Sequence, residues 1–331
     1  MNKRVVLLST GGTIASAPGE GGRNISGALS GETLMQQCAL DAAITVEVRS
    51  VFQKPSNAID EHDWVVLRQQ CEGLIADGGV DGIVITHGTD TLEDTAYYLD
   101  STLDSRRVPV VVTGSQRVPH ALGSDAYTNL RHAIELAAAD ASRGAGVLVL
   151  FNESVFSAAF VRKVSSFQLD GFDAPGLGRL GFIDNGAVTL LQRPQRQARL
   201  GHSAPLPRVD IVPAYLGADA RFVEAVVNSE PAGLIVDGLG RGHVPPTWMP
   251  VLKSARARGV TVLVCSSTLH GATHQSYQFP GSLQDLEDAG AIGVSYLTAR
   301  KARIRLAILL ANGVRDAAAI RCAFAWQQSG C

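Results

Sequence analysis

Two segments of the chain set hydroxyl side chains against glycines where an apolar run breaks off. The first reads VVLLSTGGTIAS, residues 5–16, and the second GIVITHGTDTLEDTA, residues 82–96. A threonine in such a place has three uses. It can cap the helix that follows, it can help cradle an anion at a helix N-terminus, or it can be a nucleophile once a base takes its proton. Phosphate is the weakest of the three, because the chain has neither GxGxxG after its first apolar run nor GxxxxGK[ST]. For nucleophilic chemistry the hydroxyls are Thr13 and Thr89, and the groups able to move a proton are His87, Asp90 and Lys163. Each has an ordinary use as well: a packed imidazole, a helix cap, a solvated charge. Spacing alone leaves these alternatives open.

The elements that must position these residues follow from hydrophobic patterning. Continuous runs of Val, Ile and Leu at 5–10, 44–51, 80–86, 108–113 and 145–151 predict strands buried on both faces. Between them, Trp64, Leu67, Cys71, Leu74 and Ile75 fall at helical spacing behind Asp60, a candidate N-cap. Ala126, Leu130, Ala133, Ile134 and Ala137 do the same in the next helix. Strand–helix alternation implies a parallel sheet wrapped by helices. In such sheets ligands bind at the carboxyl ends of the strands. The loops STGGT, THGTDT and TGSQR all end there, on one edge of the sheet. Residues 193–208, RPQRQARLGHSAPLPR, have no periodicity and read as a linker. The pattern then restarts, with strands expected at 209–215, 232–237 and 260–265 and helices at 219–229, 247–258, 298–310 and 315–328. The expected domains are therefore 1–192 and 209–331.

Composition narrows the class. Of 331 residues, 46% are hydrophobic and 18% charged, an ordinary globular balance. Twenty-nine Lys and Arg against 31 Asp and Glu, with no basic block, give no footprint for nucleic acid or an anionic membrane. Five widely spaced cysteines, at 38, 71, 265, 322 and 331, fit reduced thiols rather than disulfides or zinc. No apolar run has the roughly 20 residues of a membrane helix. The opening MNKRVVLLSTGG reads as a strand rather than a signal peptide. Cytoplasmic residence is the expectation, with the periplasm as the alternative if a leader has been removed.

Taken together, TGGTIA at 10–15 and HGTDTLEDTAYYL at 87–99 resemble the two signature segments of the bacterial asparaginases, the family that also holds the glutaminase-asparaginases. PVVVTGSQR, SDAYTNLRHAIELA, FVRK and SYLTARKARIRLAILLANG extend the resemblance over most of the chain. It implies a doubly wound α/β fold with a flavodoxin-like N-terminal domain and a smaller α/β C-terminal domain. It also implies hydrolysis of asparagine-type side-chain amides without metal or cofactor. Carried over, Thr13 is the nucleophile that forms the acyl-enzyme, and Thr89, Asp90 and Lys163 form the proton relay. Backbone N–H groups of the glycine turns hold the oxyanion, with Gly88 in the substrate-binding set. Ser56 and Asn57 match the segment that holds the α-carboxylate and flanks the amine, and Ser115 and Gln116 match the loop near the leaving amide. The resemblance further implies a homotetramer, a dimer of dimers, with each site completed by a neighbour's C-terminal domain.

Two departures stand out. Family members usually carry a tyrosine in the loop after TGGT, but residues 16–31 contain none, and its place falls near Asn24 or Ile25. The neighbour's asparagine falls near His243 and its acidic residue near Leu283. If those contacts are missing, the amine of a free amino acid is held less firmly. The alternatives are then an amidase of altered specificity, for glutamine, D- or blocked asparagine or another β-amide, or a catalytically weakened small-molecule binding homologue.

Overall fold

The structure, a computed structural model, describes residues 2–326. It forms two compact units that divide between Arg199 and Leu200.

The first unit is built on eight strands: β1 (Lys3–Gly11), β2 (Ile44–Lys54), β3 (Gly82–Thr86), β4 (Val110–Thr113), β5 (Val147–Phe151), β6 (Ser154–Ser157), β7 (Gly181–Asp184) and β8 (Ala187–Leu190). Their order across the sheet is β8-β7-β6-β5-β4-β3-β1-β2. The five expected runs are its parallel part, in the order 2-1-3-4-5 of a flavodoxin-like sheet. Val5–Leu8, Ile83–Ile85 and Val110–Val112 have no exposed surface, because helices cover both faces. The antiparallel extension β6–β8 goes beyond the sequence expectation. Its strands have four residues each, and two-residue turns join it. Asn152 and Glu153 (φ 47° and 64°) turn the chain between β5 and β6, and Asn185 and Gly186 (φ 49° and 77°) between β7 and β8. Both residues of such a turn must adopt positive φ, which suits Asn-Gly.

Helix α2 (Glu61–Asp77) starts at the expected cap. The Asp60 carboxylate accepts from Asp63 N–H at 3.0 Å, and Asp63 accepts in return from Asp60 N–H at 3.1 Å. That reciprocal box satisfies two donors the helix leaves open. Helix α3 (Leu92–Thr102) follows the HGTDT loop, and α4 (Ala126–Ala138) buries its five spaced apolar positions completely. The short α1 (Gly31–Gln36) was not foreseen.

The expected linker, 193–208, contains neither helix nor strand. Its first part is nonetheless fixed to the first unit: Arg196 pairs with Asp100 at 3.0 Å, and Tyr97 donates to Gln197 at 2.7 Å. The second unit carries a parallel sheet in sequential order, β9 (Val209–Pro213), β10 (Gly233–Gly238), β11 (Thr261–Ser266) and β12 (Ile292–Gly293). Its helices are α5 (Arg221–Asn228), α6 (Met249–Ala257), α7 (Leu283–Asp288), α8 (Ala299–Ala311) and α9 (Ala317–Phe324). The expected helix 315–328 is thus shorter, and residues 327 and 328, like Cys331, lie outside the described residues. Among the described residues, no helix is long and apolar enough to cross a membrane.

The β3 strand packs so closely on α4 that a Cβ at Gly82 would lie 2.3 Å from the Ala137 carbonyl oxygen. Backbone cannot yield there as a flexible side chain can. Gly82→Ala is expected to lower the thermal midpoint by roughly 2–12 °C, as overpacking of about 1–3 kcal/mol does in a domain of this size. An unchanged midpoint in a melting experiment would refute this account of the contact.

Candidate active site

The parallel strands reverse their order between β1 and β3, so the crevice beyond their carboxyl ends is where a ligand belongs. Three loops meet there main chain to main chain. Gly12, after β1, has φ 85° and ψ −174°, a region that glycine alone adopts freely. A Cβ on it would lie 2.4 Å from both Cα and N of Gly88. On Gly88 a Cβ would meet Ser56 Cβ and Oγ at 2.8 Å, and on Gly114 it would meet the His87 carbonyl oxygen at 2.5 Å. The glycines therefore let the loops after β1, β3 and β4, and the turn that carries Ser56, close on one another.

Over this floor lies a cavity of about 350 Å³, and Gly12, Thr13, Ser56, Asn57, Gly88, Thr89, Asp90, Gln116 and Lys163 all line it. Lys163 enters from a two-residue ribbon, Arg162–Lys163 paired with Phe172–Asp173, that lies outside the main sheet. Its Nζ donates to Thr89 Oγ1 at 2.7 Å and to Asp90 Oδ1 at 2.7 Å. The Lys163 backbone N–H donates to the buried Glu93 carboxylate at 3.0 Å, which fixes the ribbon to the first turn of α3. Lys163 is thus no solvated charge: its side chain is 17% exposed and is shared between a hydroxyl and a carboxylate.

Ser16, Ser26, Pro55, Val118 and Ser166 also line the cavity, and the sequence reading did not name them. The loop after TGGT folds into a ribbon that pairs Ala17–Pro18 with Asn24–Ile25. Successive residues of extended chain face opposite ways. Asn24 and Ser26 accordingly face the cavity, while Ile25 lies outside it and packs over Gly19. The place of the usual loop tyrosine is thus taken by small polar groups. Ser115 and Gln116, in the bend after β4, also part ways. Ser115 is fully buried and its Oγ donates to the Arg117 carbonyl at 2.7 Å, so it braces the loop rather than lining the cavity. Gln116 does line it, and its Nε2 donates to the Ser165 carbonyl at 3.0 Å.

His243 belongs to the second unit and is not among the residues lining this cavity. Its ring stands edge-on to Tyr277 and Phe279, and burial, with Arg241 alongside, pushes its pKa below the usual value. The neutral Nδ1 accepts from the Leu283 N–H at 3.3 Å. Leu283, read as the acidic position, is instead a buried core residue. Among the described residues, no cluster of His, Cys, Asp and Glu could hold a metal ion.

His87 lies behind the floor with no exposed surface. Its Nδ1 is 2.7 Å from the Gly88 carbonyl oxygen, and its Nε2 is 2.9 Å from Thr95 Oγ1. Burial pushes its pKa from 6.5 to about 4, although the bond to Gly88 works the other way. An unfolded chain takes up this proton below about pH 6.5, whereas the folded one resists to about pH 4. The stability concerned is complete above 6.5 and is lost as the pH falls toward 4, by up to about 3 kcal/mol. Urea midpoints measured between pH 7 and 4.5 should fall less steeply for His87→Asn than for the parent protein. Parallel curves would contradict this.

Comparison with known proteins agrees with this layout. Residues 4–196 match the family model for the asparaginase N-terminal domain, and residues 208–324 match that for the glutaminase/asparaginase C-terminal domain. The chain is 44% identical to the L-asparaginase of Bacillus licheniformis over 319 residues, 96% of this chain and 99% of that one. It is 34% identical to the probable L-asparaginase of Deinococcus radiodurans over 317 residues, 94% of each chain. Among solved structures, the probable cytoplasmic L-asparaginase of Campylobacter jejuni superimposes with a TM-score of 0.87 at 29% identity, covering 97% of this chain and 99% of its own. With both domain models matched and near-complete overlap with such relatives, the chain belongs to the glutaminase/asparaginase family.

Proposed function

We propose that the protein hydrolyses the side-chain amide of L-asparagine to L-aspartate and ammonia through a threonyl ester. The observation that carries this is Lys163 Nζ at 2.7 Å from both Thr89 Oγ1 and Asp90 Oδ1, in the cavity that Thr13 also lines. In this reading the Thr13 hydroxyl oxygen bonds to the amide carbon. The proton it loses is passed through the Thr89–Lys163–Asp90 group to the leaving nitrogen, the C–N bond breaks and ammonia departs. Water then adds to the ester carbon, aspartate leaves, and Thr13 regains its proton. Thr89 positions that water. Backbone N–H groups of the glycine turns stabilise the oxyanion in both steps, a contribution of roughly 3 kcal/mol per donor. Ser56 and Asn57 hold the α-carboxylate, Asp90 faces the α-amine, and Gln116 lies near the amide. No step calls for a metal or organic cofactor.

Ammonia release from millimolar L-asparagine and L-glutamine should be readily measured for the parent protein and reduced at least about a thousandfold in Thr13→Ala. Activity retained in Thr13→Ala would remove the proposed nucleophile. A preference for glutamine, or for D- or N-acyl asparagine, would favour altered specificity, with Asn24, Ser26 and Ser166 as the rim that sets it. Inactivity on all of these amides would favour a binding homologue.

The same reading includes a homotetramer whose sites are completed by a neighbour's second unit. In that unit, the loops beyond the carboxyl ends of all four strands expose large apolar groups: Tyr215 and Leu216 after β9, Leu239 after β10, Leu269 after β11 and Tyr296 after β12. A covering partner accounts for such a row. Light scattering should give the mass of four chains, and Leu216→Asp should lower it. A monomeric parent protein would overturn the assembly. Cytoplasmic residence rests on the free thiols Cys38, Cys71 and Cys265 and on the name of the Campylobacter jejuni neighbour. Fractionation of producing cells tests it.

A further inference from the structure

His87 takes no part in the proton relay, yet it sits at the end of a buried hydrogen-bond chain whose direction can be derived. The Gly88 carbonyl can only accept, so His87 Nδ1, 2.7 Å away, must carry the ring proton. The Trp64 indole can only donate, and its Nε1–H reaches Thr95 Oγ1 at 2.9 Å. The Thr95 hydroxyl is therefore free to donate in turn to the bare His87 Nε2, also at 2.9 Å. Trp64, on α2, and Thr95, on α3, thus fix the tautomer of a ring that holds the Gly88 carbonyl from behind.

That carbonyl belongs to the peptide joining Gly88 to Thr89. The described chain has no cis peptide bond, so this unit is planar and trans. Its N–H, which is Thr89's, points opposite to its C=O. The C=O is turned toward His87, which is fully buried, while Thr89 lines the cavity. We infer that His87, braced by Thr95 and Trp64, is a positioning residue that aims the Thr89 N–H at the reacting carbonyl. This rests on the amidohydrolase reading above. It adds to that reading the buried chain that orients one of the oxyanion donors.

The test is ammonia release from L-asparagine by His87→Leu, His87→Asn and Thr95→Val, beside the parent protein and Thr13→Ala. Leucine cannot donate to the Gly88 carbonyl. Its kcat should fall at least about tenfold with KM within about twofold, the signature of an interaction made in the transition state. Asparagine places an N–H near the position of Nδ1 and should restore most of that loss. Thr95→Val keeps the ring but releases its tautomer, and its kcat should fall between those of the two His87 variants. Parental kcat in a folded His87→Leu or in Thr95→Val, or an asparagine variant no better than leucine, overturns the inference. Should His87→Leu fail to fold, Thr95→Val decides alone. Thr13→Ala keeps the two levels apart: loss there with no effect at His87 or Thr95 leaves the reaction standing and removes the positioning role. An inactive parent protein removes both.

Discussion

The site depends on one contact, the main-chain approach of Gly12 to Gly88. The two residues come from loops that follow neighbouring parallel strands on either side of the reversal in strand order. No side chain fits between them, since a Cβ at Gly12 would fall 2.4 Å from the partner's backbone. Gly12 must also adopt φ 85° and ψ −174° before the chain can turn into the short helical segment that starts at Thr13. The position of Thr13 relative to Thr89 and Lys163 follows from that closure. So does the placement of Ser56, which lies against Gly88 and whose carbonyl accepts from Thr91 Oγ1 at 2.7 Å.

Much of this was legible in the sequence because it is local. The five apolar runs gave the parallel sheet, and Asp60 announced its capping box. The glycine–threonine loops marked the carboxyl edge that carries the site. What escaped depends on long-range pairing or on which way a side chain faces. Strands β6–β8, at four residues each, are too short for periodicity to reveal, although the Asn185-Gly186 pair is a hairpin signal present in the sequence. Asn24 differs from Ile25 by alternation along extended chain, while Ser26 and Gln116 reach the cavity from a turn and a bend, and the pairing and turns that decide this come from the fold. Ser166 lies in a stretch without periodicity and reaches the cavity from the loop that joins the two strands of the Lys163 ribbon. Leu283, near which the resemblance puts the neighbour's acidic residue, is a core residue, and position along the chain could not show that.

Lys163 illustrates how the first unit divides its labour. The parallel sheet supplies the fixed loops, and a separate two-residue ribbon brings in the cation. Two bonds hold this segment. Glu93 takes the Lys163 backbone N–H, and Gln116 takes the Ser165 carbonyl. A long side chain placed this way has little further freedom to lose, which is what the proposed relay requires.

The pairing of Lys163 with Asp90 has a consequence for how a ligand arrives. These are the two charged residues among the cavity's lining, and their ionised groups lie 2.7 Å apart. The rest of the wall is hydroxyl, carboxamide, small apolar and backbone groups. Such a cleft presents a local dipole and little net field to solution. A zwitterionic amino acid, itself neutral overall, is therefore neither drawn in nor repelled at long range. Its capture is therefore expected to be nearly indifferent to ionic strength.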